Sequence, residues 1–188
     1  MVVTAGDPGA FSALLCVLTG GGVAIAPGDT MYGLIGAVPD SQDRLRRVKG
    51  RGEEKPFLQL LADRTWIARV SDMSVPARLS RFWPGPLTLV LPDRAGGTVA
   101  VRIPDSSFLQ SLLRAVERPL YSTSVNRAGS PPLTSIKDIC NEFERDVDII
   151  FNDGDHPPGA PSTLLDITRR PCKVLRQGAV HLDPEDLI

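Results

Sequence analysis

Hydrophobic positions along the chain switch between two spacings. Phe11, Leu14, Leu15 and Leu18 recur at helical intervals and Gly20-Gly21-Gly22 closes the run, which predicts a helix. Asp7-Pro8 ahead of it has the form of an N-cap with Pro at the first helical position. Val23–Ala26 is a short apolar run bounded by turn residues and reads as a strand. Helical spacing returns over 41–48, 74–82 (stopped by Pro84), 106–116 and 135–143. Ser135 with Asp138 resembles a capping box ahead of Ile136, Ile139, Cys140 and Phe143. Further strands are predicted at 57–61, 86–91, 98–103, 120–125, 147–151, 163–167 and 174–176. Asp93-Arg94-Ala95-Gly96-Gly97 between two of them is a hairpin loop, so the sheet is expected to be mixed. The alternation predicts an α/β fold, and with no repeat or linker residues 1–188 read as a single domain.

Composition narrows this picture. With 21 Lys+Arg and 22 Asp+Glu, the net charge of −1 excludes a globally basic nucleic-acid coat but not a local cationic pocket. A hydrophobic fraction of 42% excludes a long disordered chain. Seventeen Gly and 17 Pro together make about 18% of the residues against ~12% in average usage, while aromatics are 5%. Many turns and few large anchors suit a backbone that bends often and approaches a ligand closely. Cys16, Cys140 and Cys172 show no metal or disulfide spacing, and Cys16 and Cys140, in apolar-periodic segments, read as buried thiols. The N-terminus lacks a basic region and a long apolar run, so a soluble cytoplasmic protein without membrane contact is expected.

Five constellations could carry chemistry. In Ala26-Pro27-Gly28-Asp29-Thr30-Met31-Tyr32-Gly33, a strand-end loop opening a helix would offer N–H groups to an anion, with Thr30 adding a hydroxyl. The same residues read equally as a strand, a turn and a capped helix. Arg44 to Arg51 concentrates cations. Lys49-Gly50-Arg51 sets a point charge and a planar fork around a glycine at a helix end, which suits phosphate oxygens. Arg44, Arg46 and Arg47 fit a solvated face instead. Ser124 and Asn126 alternate at the end of a hydroxyl-rich strand and would share a face, toward phosphate or sugar or else in turn chemistry. Phe82-Trp83-Pro84-Gly85-Pro86-Leu87-Thr88 is a stiff corner or a cavity wall. Ser162-Thr163 through Asp166, then Arg176 before Gly178, would make a phosphate clamp or a surface salt bridge. The chain has no GxxxxGK[ST], GxGxxG or GxSxG, and His156 and His181 have no evident partners. Cations, hydroxyls and close-approach glycines without a nucleophile point to a site that works by positioning and charge stabilisation.

In this order the constellations resemble the threonylcarbamoyl-AMP synthase family, whose domain is called YrdC-like. The resemblance runs from about Gly21 to Gly178. It rests on Lys49-Gly50-Arg51, the run from Trp83 to Thr88, Val99 to Pro104, Ser124-Val125-Asn126 with Gly129, Ser162-Thr163 with Asp166, and Leu175-Arg176 with Gly178. It implies a twisted mixed parallel and antiparallel sheet with flanking helices around a large cavity. It also implies a nucleotidyltransferase that joins L-threonine, bicarbonate or CO2, and ATP into threonylcarbamoyl-AMP with release of pyrophosphate. ATP is then a substrate, Mg²⁺ accompanies it without protein ligands, and partner enzymes modify tRNA; weak direct tRNA binding is a further expectation. Carried over by motif, Lys49, Arg51, Ser124 and Asn126 form the nucleotide-binding tetrad, with Lys49 and Arg51 catalytic. Thr88 and Arg176 match nucleotide contacts, and Thr30, Arg102 and Ser162 match the threonine pocket.

The chain departs from the family pattern where Pro27-Gly28-Asp29-Thr30 stands for Pro-Thr-Glu-Thr, and at Gly52, Leu60 and Val125. The first and Leu60 touch the amino-acid pocket, which leaves room for a related carbamoyl-adenylating enzyme with another substrate. A non-catalytic RNA- or nucleotide-binding module is the alternative of a different class. The extra C-terminal domain of longer members is expected to be absent.

Overall fold

A computed structural model of the chain describes residues 1–50, 52, 56–157 and 159–188. Its elements in chain order are β1 (Val2–Thr4), α1 (Ala10–Thr19), β2 (Val23–Ala26), β3 (Gly33–Ala37), α2 (Gln42–Lys49), β4 (Leu58–Leu60), α3 (Ala77–Ser80), β5 (Leu87–Pro92) and β6 (Thr98–Arg102). Then come α4 (Ser107–Val116), β7 (Leu120–Ser124), α5 (Ile136–Phe143), β8 (Ile149–Asn152), β9 (Thr163–Asp166) and β10 (Lys173–Arg176). Short 3-10 turns lie at Arg64–Arg69 and Pro184–Leu187. The ten strands among the described residues join one open sheet in the order β1-β8-β2-β3-β7-β4-β6-β5-β9-β10. It is mixed, as the sequence predicts. β8 runs parallel to β1 and β2, β4 to β6 and β5 to β9, whereas β2/β3, β3/β7, β4/β7, β5/β6 and β9/β10 are antiparallel.

Helices cover both faces where the strands are apolar on both sides. Leu14 and Leu18 of α1 and Leu109 and Leu112 of α4 pack with Ala24, Ala26, Ile149 and Phe151 on one face. Leu45 and Val48 of α2 and Ile139 and Phe143 of α5 pack with Val23, Ile25, Leu34 and Ile150 on the other. Each such side chain, taken fully from water, contributes ~1.5–3 kcal/mol. Strand alternation therefore assigns residues to faces, and the register carries the assignment across the sheet. Gly33 and Ile35 pair with Ser124 and Ser122, Ser122 with Leu58, Leu58 and Leu60 with Ala100 and Arg102, and Thr88 with Leu164, which meets Arg176. These residues share one face, and toward β10 that face is left open as a cavity.

Several expectations are corrected. No helix follows Thr30: the chain returns as β3, antiparallel to β2. Successive residues of that run face opposite helical layers, Leu34 in one core and Ile35 in the other, so burial on both sides leaves a continuous apolar run without the alternation that marks a strand. α1 begins at Ala10 behind Gly9 rather than at Asp7-Pro8, because the Asp7 carboxylate accepts from the Thr4 N–H (2.9 Å) and closes a turn. The helix expected over 74–82 shrinks to Ala77–Ser80 behind Pro76, and an Asp63-capped turn precedes it. Ser135 makes no side-chain cap; Asp155 accepts from the Ile136 N–H instead (2.8 Å). Cys16 is exposed and Cys140 half-buried, because Leu14 and Leu18 take the inward stripe of α1 and Ile139 and Phe143 that of α5. Cys172 is the buried thiol. No described helix is long and apolar enough to cross a membrane.

Candidate functional site

The open face of the sheet is the floor of a cavity of about 940 Å³, near the upper end of the range for small-molecule sites. Leu58, Leu60, Ala100 and Ile35 supply its apolar floor, Leu109 of α4 one wall, and the connectors after β2, α2 and β7 the rim. Thr30, Lys49, Thr88, Arg102, Ser124, Asn126, Ser162 and Arg176 all line it. Eight residues spread over most of the sequence are thus brought to one space. Arg51 lies outside the described residues.

Lys49 is the last residue of α2. Gly50 follows in the left-handed region (φ 65°), which ends the helix without a Cβ penalty and turns the chain toward the cavity rim. The Lys49 side chain is 5% exposed. Its ammonium donates to the Ser124 carbonyl, to Asn126 Oδ1 and to Ser124 Oγ (3.2 Å). Ser124 Oγ donates to Asn126 Oδ1 (2.7 Å), and the Asn126 amide donates to the Arg127 and Ser130 carbonyls (3.0 and 2.5 Å). Lys49, Ser124 and Asn126 are therefore one hydrogen-bonded group, with the ammonium held in place by oxygens. Arg127 anchors this rim from behind: it donates to the Val48 carbonyl (2.6 Å) and pairs with Glu142 and Asp146 (2.6 Å each).

A second group lies at the β9–β10 end. Thr88 Oγ1 and Ser162 Oγ are hydrogen-bonded at 2.8 Å. Arg176 donates through Nε and Nη2 to the Ser162 carbonyl (3.1 and 2.9 Å) and through Nη2 to Ser162 Oγ (3.1 Å). Burial lowers the Arg176 pKa, and among the described residues no carboxylate pairs with it. Gly178 makes this close approach feasible, since a Cβ there would sit 2.1 Å from the Pro161 carbonyl oxygen. Arg102 stands between the groups. Its pKa is lowered, first by burial and further by Arg176, and Asp29 offsets part of that with a 2.9 Å ion pair.

Not every constellation contributes. Arg44 pairs with Asp148 away from the cavity, at 2.5 Å. Trp83 is a structural corner: it is 4% exposed and its indole N–H donates to the Leu87 carbonyl (2.6 Å). Sequence reasoning placed Asp29 and Tyr32 in the first connector but gave neither a role of its own. Tyr32 is buried, donates to the Gly154 carbonyl, accepts from the Asp153 N–H (2.8 Å each) and meets the His156 ring at a tilt (centroids 4.7 Å apart), so it ties the 153–157 loop to the rim. Burial pushes its phenol pKa up. Neither role is readable locally, because the partners, Arg102, Asp153 and Gly154, lie far along the chain. No group of three or more His, Cys, Asp or Glu side chains among the described residues is placed to hold a metal ion.

The Sua5/YciO/YrdC family model, described as "Telomere recombination", matches residues 16–178. A threonylcarbamoyl-AMP synthase of Pyrococcus abyssi (strain GE5 / Orsay) is 34% identical over 173 residues, covering 84% of this chain and 50% of that protein. A protein of the same name from Bacillus subtilis (strain 168) is 29% identical over 177 residues, with the same coverage of 84% and 50%. Among solved structures, P. abyssi Sua5 complexed with L-threonine superimposes with a TM-score of 0.84 at 27% identity, covering 95% of this chain and 57% of that one. The chain spans about half the length of the curated relatives it matches.

Proposed function

The chain belongs to the Sua5/YciO/YrdC family, and on that footing we propose that it is a threonylcarbamoyl-AMP synthase, a nucleotidyltransferase acting on L-threonine, bicarbonate and ATP. The observation that carries the reading is the pairing of two cationic, hydroxyl-bearing groups in one cavity: Lys49 with Ser124 and Asn126, and Arg176 with Thr88 and Ser162. Lys49, Ser124, Asn126, Thr88 and Arg176 take the nucleotide, with Arg51 as the fourth member of the tetrad. Thr30, Arg102 and Ser162 take the amino acid.

In this reading the threonine nitrogen bonds to the carbon of CO2 and loses a proton; starting from bicarbonate, a water leaves. A carbamate oxygen then bonds to the α-phosphorus as the bond to pyrophosphate breaks. No protein nucleophile is needed. Lys49 and Arg176 would hold the triphosphate and stabilise charge spreading over the transferring phosphoryl group. A cavity of this size, closed over its contents, would shield the carbamate from water. The cavity lining offers no carboxylate among the described residues, so it does not fit a resident metal; Mg²⁺ would enter as part of the nucleotide substrate. The adduct would pass to partner enzymes that modify tRNA, in a cytoplasmic setting, with residues 1–188 acting as one domain.

The test is pyrophosphate exchange and direct detection of the AMP adduct in reactions lacking one component at a time. Adduct is expected only with threonine, bicarbonate and ATP together. Turnover indifferent to bicarbonate overturns the reading, and ATP binding with no turnover would mark a nucleotide-binding module instead. A panel of amino acids in which threonine is not the best substrate would redirect the reading to a related adenylating enzyme.

A further inference from the structure

The last four carbonyls of a helix lack partners inside it, and what satisfies them decides how firmly the helix end is held. In α2 all four are taken. The Gly50 N–H donates to the Arg46 and Arg47 carbonyls. Arg127 Nη1 donates to the Val48 carbonyl (2.6 Å), and the Ala128 N–H donates to that of Lys49 (2.9 Å). The second two bonds come from the connector after β7. That connector also reaches Lys49 from its other end. The Arg127 and Ser130 carbonyls accept from the Asn126 amide (3.0 and 2.5 Å), which leaves Asn126 Oδ1 to face Ser124 Oγ and the Lys49 ammonium. Arg127 thus supports Lys49 twice, through the carbonyl beside it in the helix and through the amide that receives its ammonium.

The guanidinium itself does not line the cavity, although Asn126, Ala128 and Gly129 on either side of it do. It turns to α5 instead. Nε donates to Glu142 Oε1 (2.6 Å), and Nη2 donates to Asp146 Oδ2 (2.6 Å) and to the Glu142 carbonyl (3.1 Å). Its central carbon lies 4.5 Å from the centre of the buried Phe143 ring. All three nitrogens are engaged at once, which a planar fork allows and a single ammonium does not. Both ion pairs are partly exposed, and pairs of that kind add little to stability. What they fix is place: α5 holds Arg127, and Arg127 holds the end of α2.

We propose that Arg127 is a positioning residue for the nucleotide's phosphates: without touching the ligand, it fixes the Lys49 ammonium relative to Ser124 and Asn126. This rests on the synthase reading for the nucleotide and not for the geometry. R127M keeps the stem over Phe143 and removes the fork. In R127M the Kd for inorganic tripolyphosphate is expected to rise about ten-fold and the KM for L-threonine to change less than about two-fold. R127K, which keeps the charge without the fork, is expected to stay at least about five-fold weaker than wild type. A residue that acts through Lys49 adds nothing once Lys49 is gone, so R127M combined with K49M should bind tripolyphosphate within about two-fold of K49M alone. Losses that add, an unchanged Kd in R127M, or full recovery in R127K overturns the proposal.

A second measurement needs neither turnover nor a variant that folds. If the Arg127 bonds support phosphate binding, bound phosphate supports those bonds in equal measure. In wild-type protein carrying 15N-labelled arginine, solvent exchange of the Arg127 Nε–H is expected to slow about ten-fold on saturation with tripolyphosphate. Unchanged exchange overturns the proposal even if the enzyme is active. Slowed exchange in a protein that forms no adduct upholds the Arg127–Lys49 arrangement and sinks the synthase reading alone.

Discussion

Lys49 is the residue on which nucleotide handling turns. Its ammonium is nearly enclosed and meets Ser124 and Asn126 at once, so K49M removes the charge while filling much of the same space. Adduct formation is expected to fall by roughly two orders of magnitude or more, the scale of a lost preorganised charge contact, with the far-ultraviolet circular dichroism spectrum unchanged. An equal loss of folded signal would mean that Lys49 serves the fold. At this scale the sequence was readable where residue type is itself chemistry: Lys, Ser and Asn within short motifs. It gave Asp29 and Tyr32 no role of their own, because they act through partners that only the fold supplies.

Thr163 shows how an element carries a site residue. It is fully buried in β9, accepts from the Gly178 and Val180 N–H groups (3.0 and 3.1 Å) and donates to the Val180 carbonyl (2.6 Å). T163V keeps the shape and strands those backbone groups, at roughly 2–3 kcal/mol. The melting temperature should drop by about 5–10 °C, with faster hydrogen exchange over 176–180 behind Arg176. Asp148 joins other elements: it accepts from the Val23 N–H (2.9 Å) and pairs with Arg44 of α2. Burial works to raise its pKa, but these bonds and the Arg44 charge outweigh it and hold the carboxyl below its ordinary value. Its contribution is thus complete above the unfolded-state value of about 4 and is lost as pH falls through the folded-state value. D148N should lower the unfolding free energy measured in urea at pH 7 by no more than about 1–2 kcal/mol, given partial solvent screening, and should flatten the acid limb of the stability profile. Element types followed from local spacing at most positions. The start of α1 did not, because Asp7 closes a turn ahead of it, and the start of α5 fell where expected but with Asp155 rather than Ser135 supplying the cap.

The whole molecule gathers cations that its net charge of −1 conceals. Lys49, Arg102 and Arg176 face one cavity, while the carboxylates of Glu142, Asp146 and Asp148 engage arginines on the rim or beyond it. A ligand such as inorganic tripolyphosphate should therefore stabilise the fold by binding. At a hundred times its Kd it would add ~2.7 kcal/mol, a rise of about 5–10 °C in melting temperature that K49M reduces sharply. A rise of equal size in K49M would locate the polyanion elsewhere. Spacing and turn residues alone determined that this is a mixed α/β chain, and the short motifs determined which side chains could bind phosphate. Both are local properties, written within a few residues. The tertiary structure alone decided that β3 returns beside β2, that strand register puts Thr88, Arg102 and Ser124 on one face, and that Asp29 closes on Arg102. Those are pairings between distant segments, and they depend on which strands the packed helices bring together.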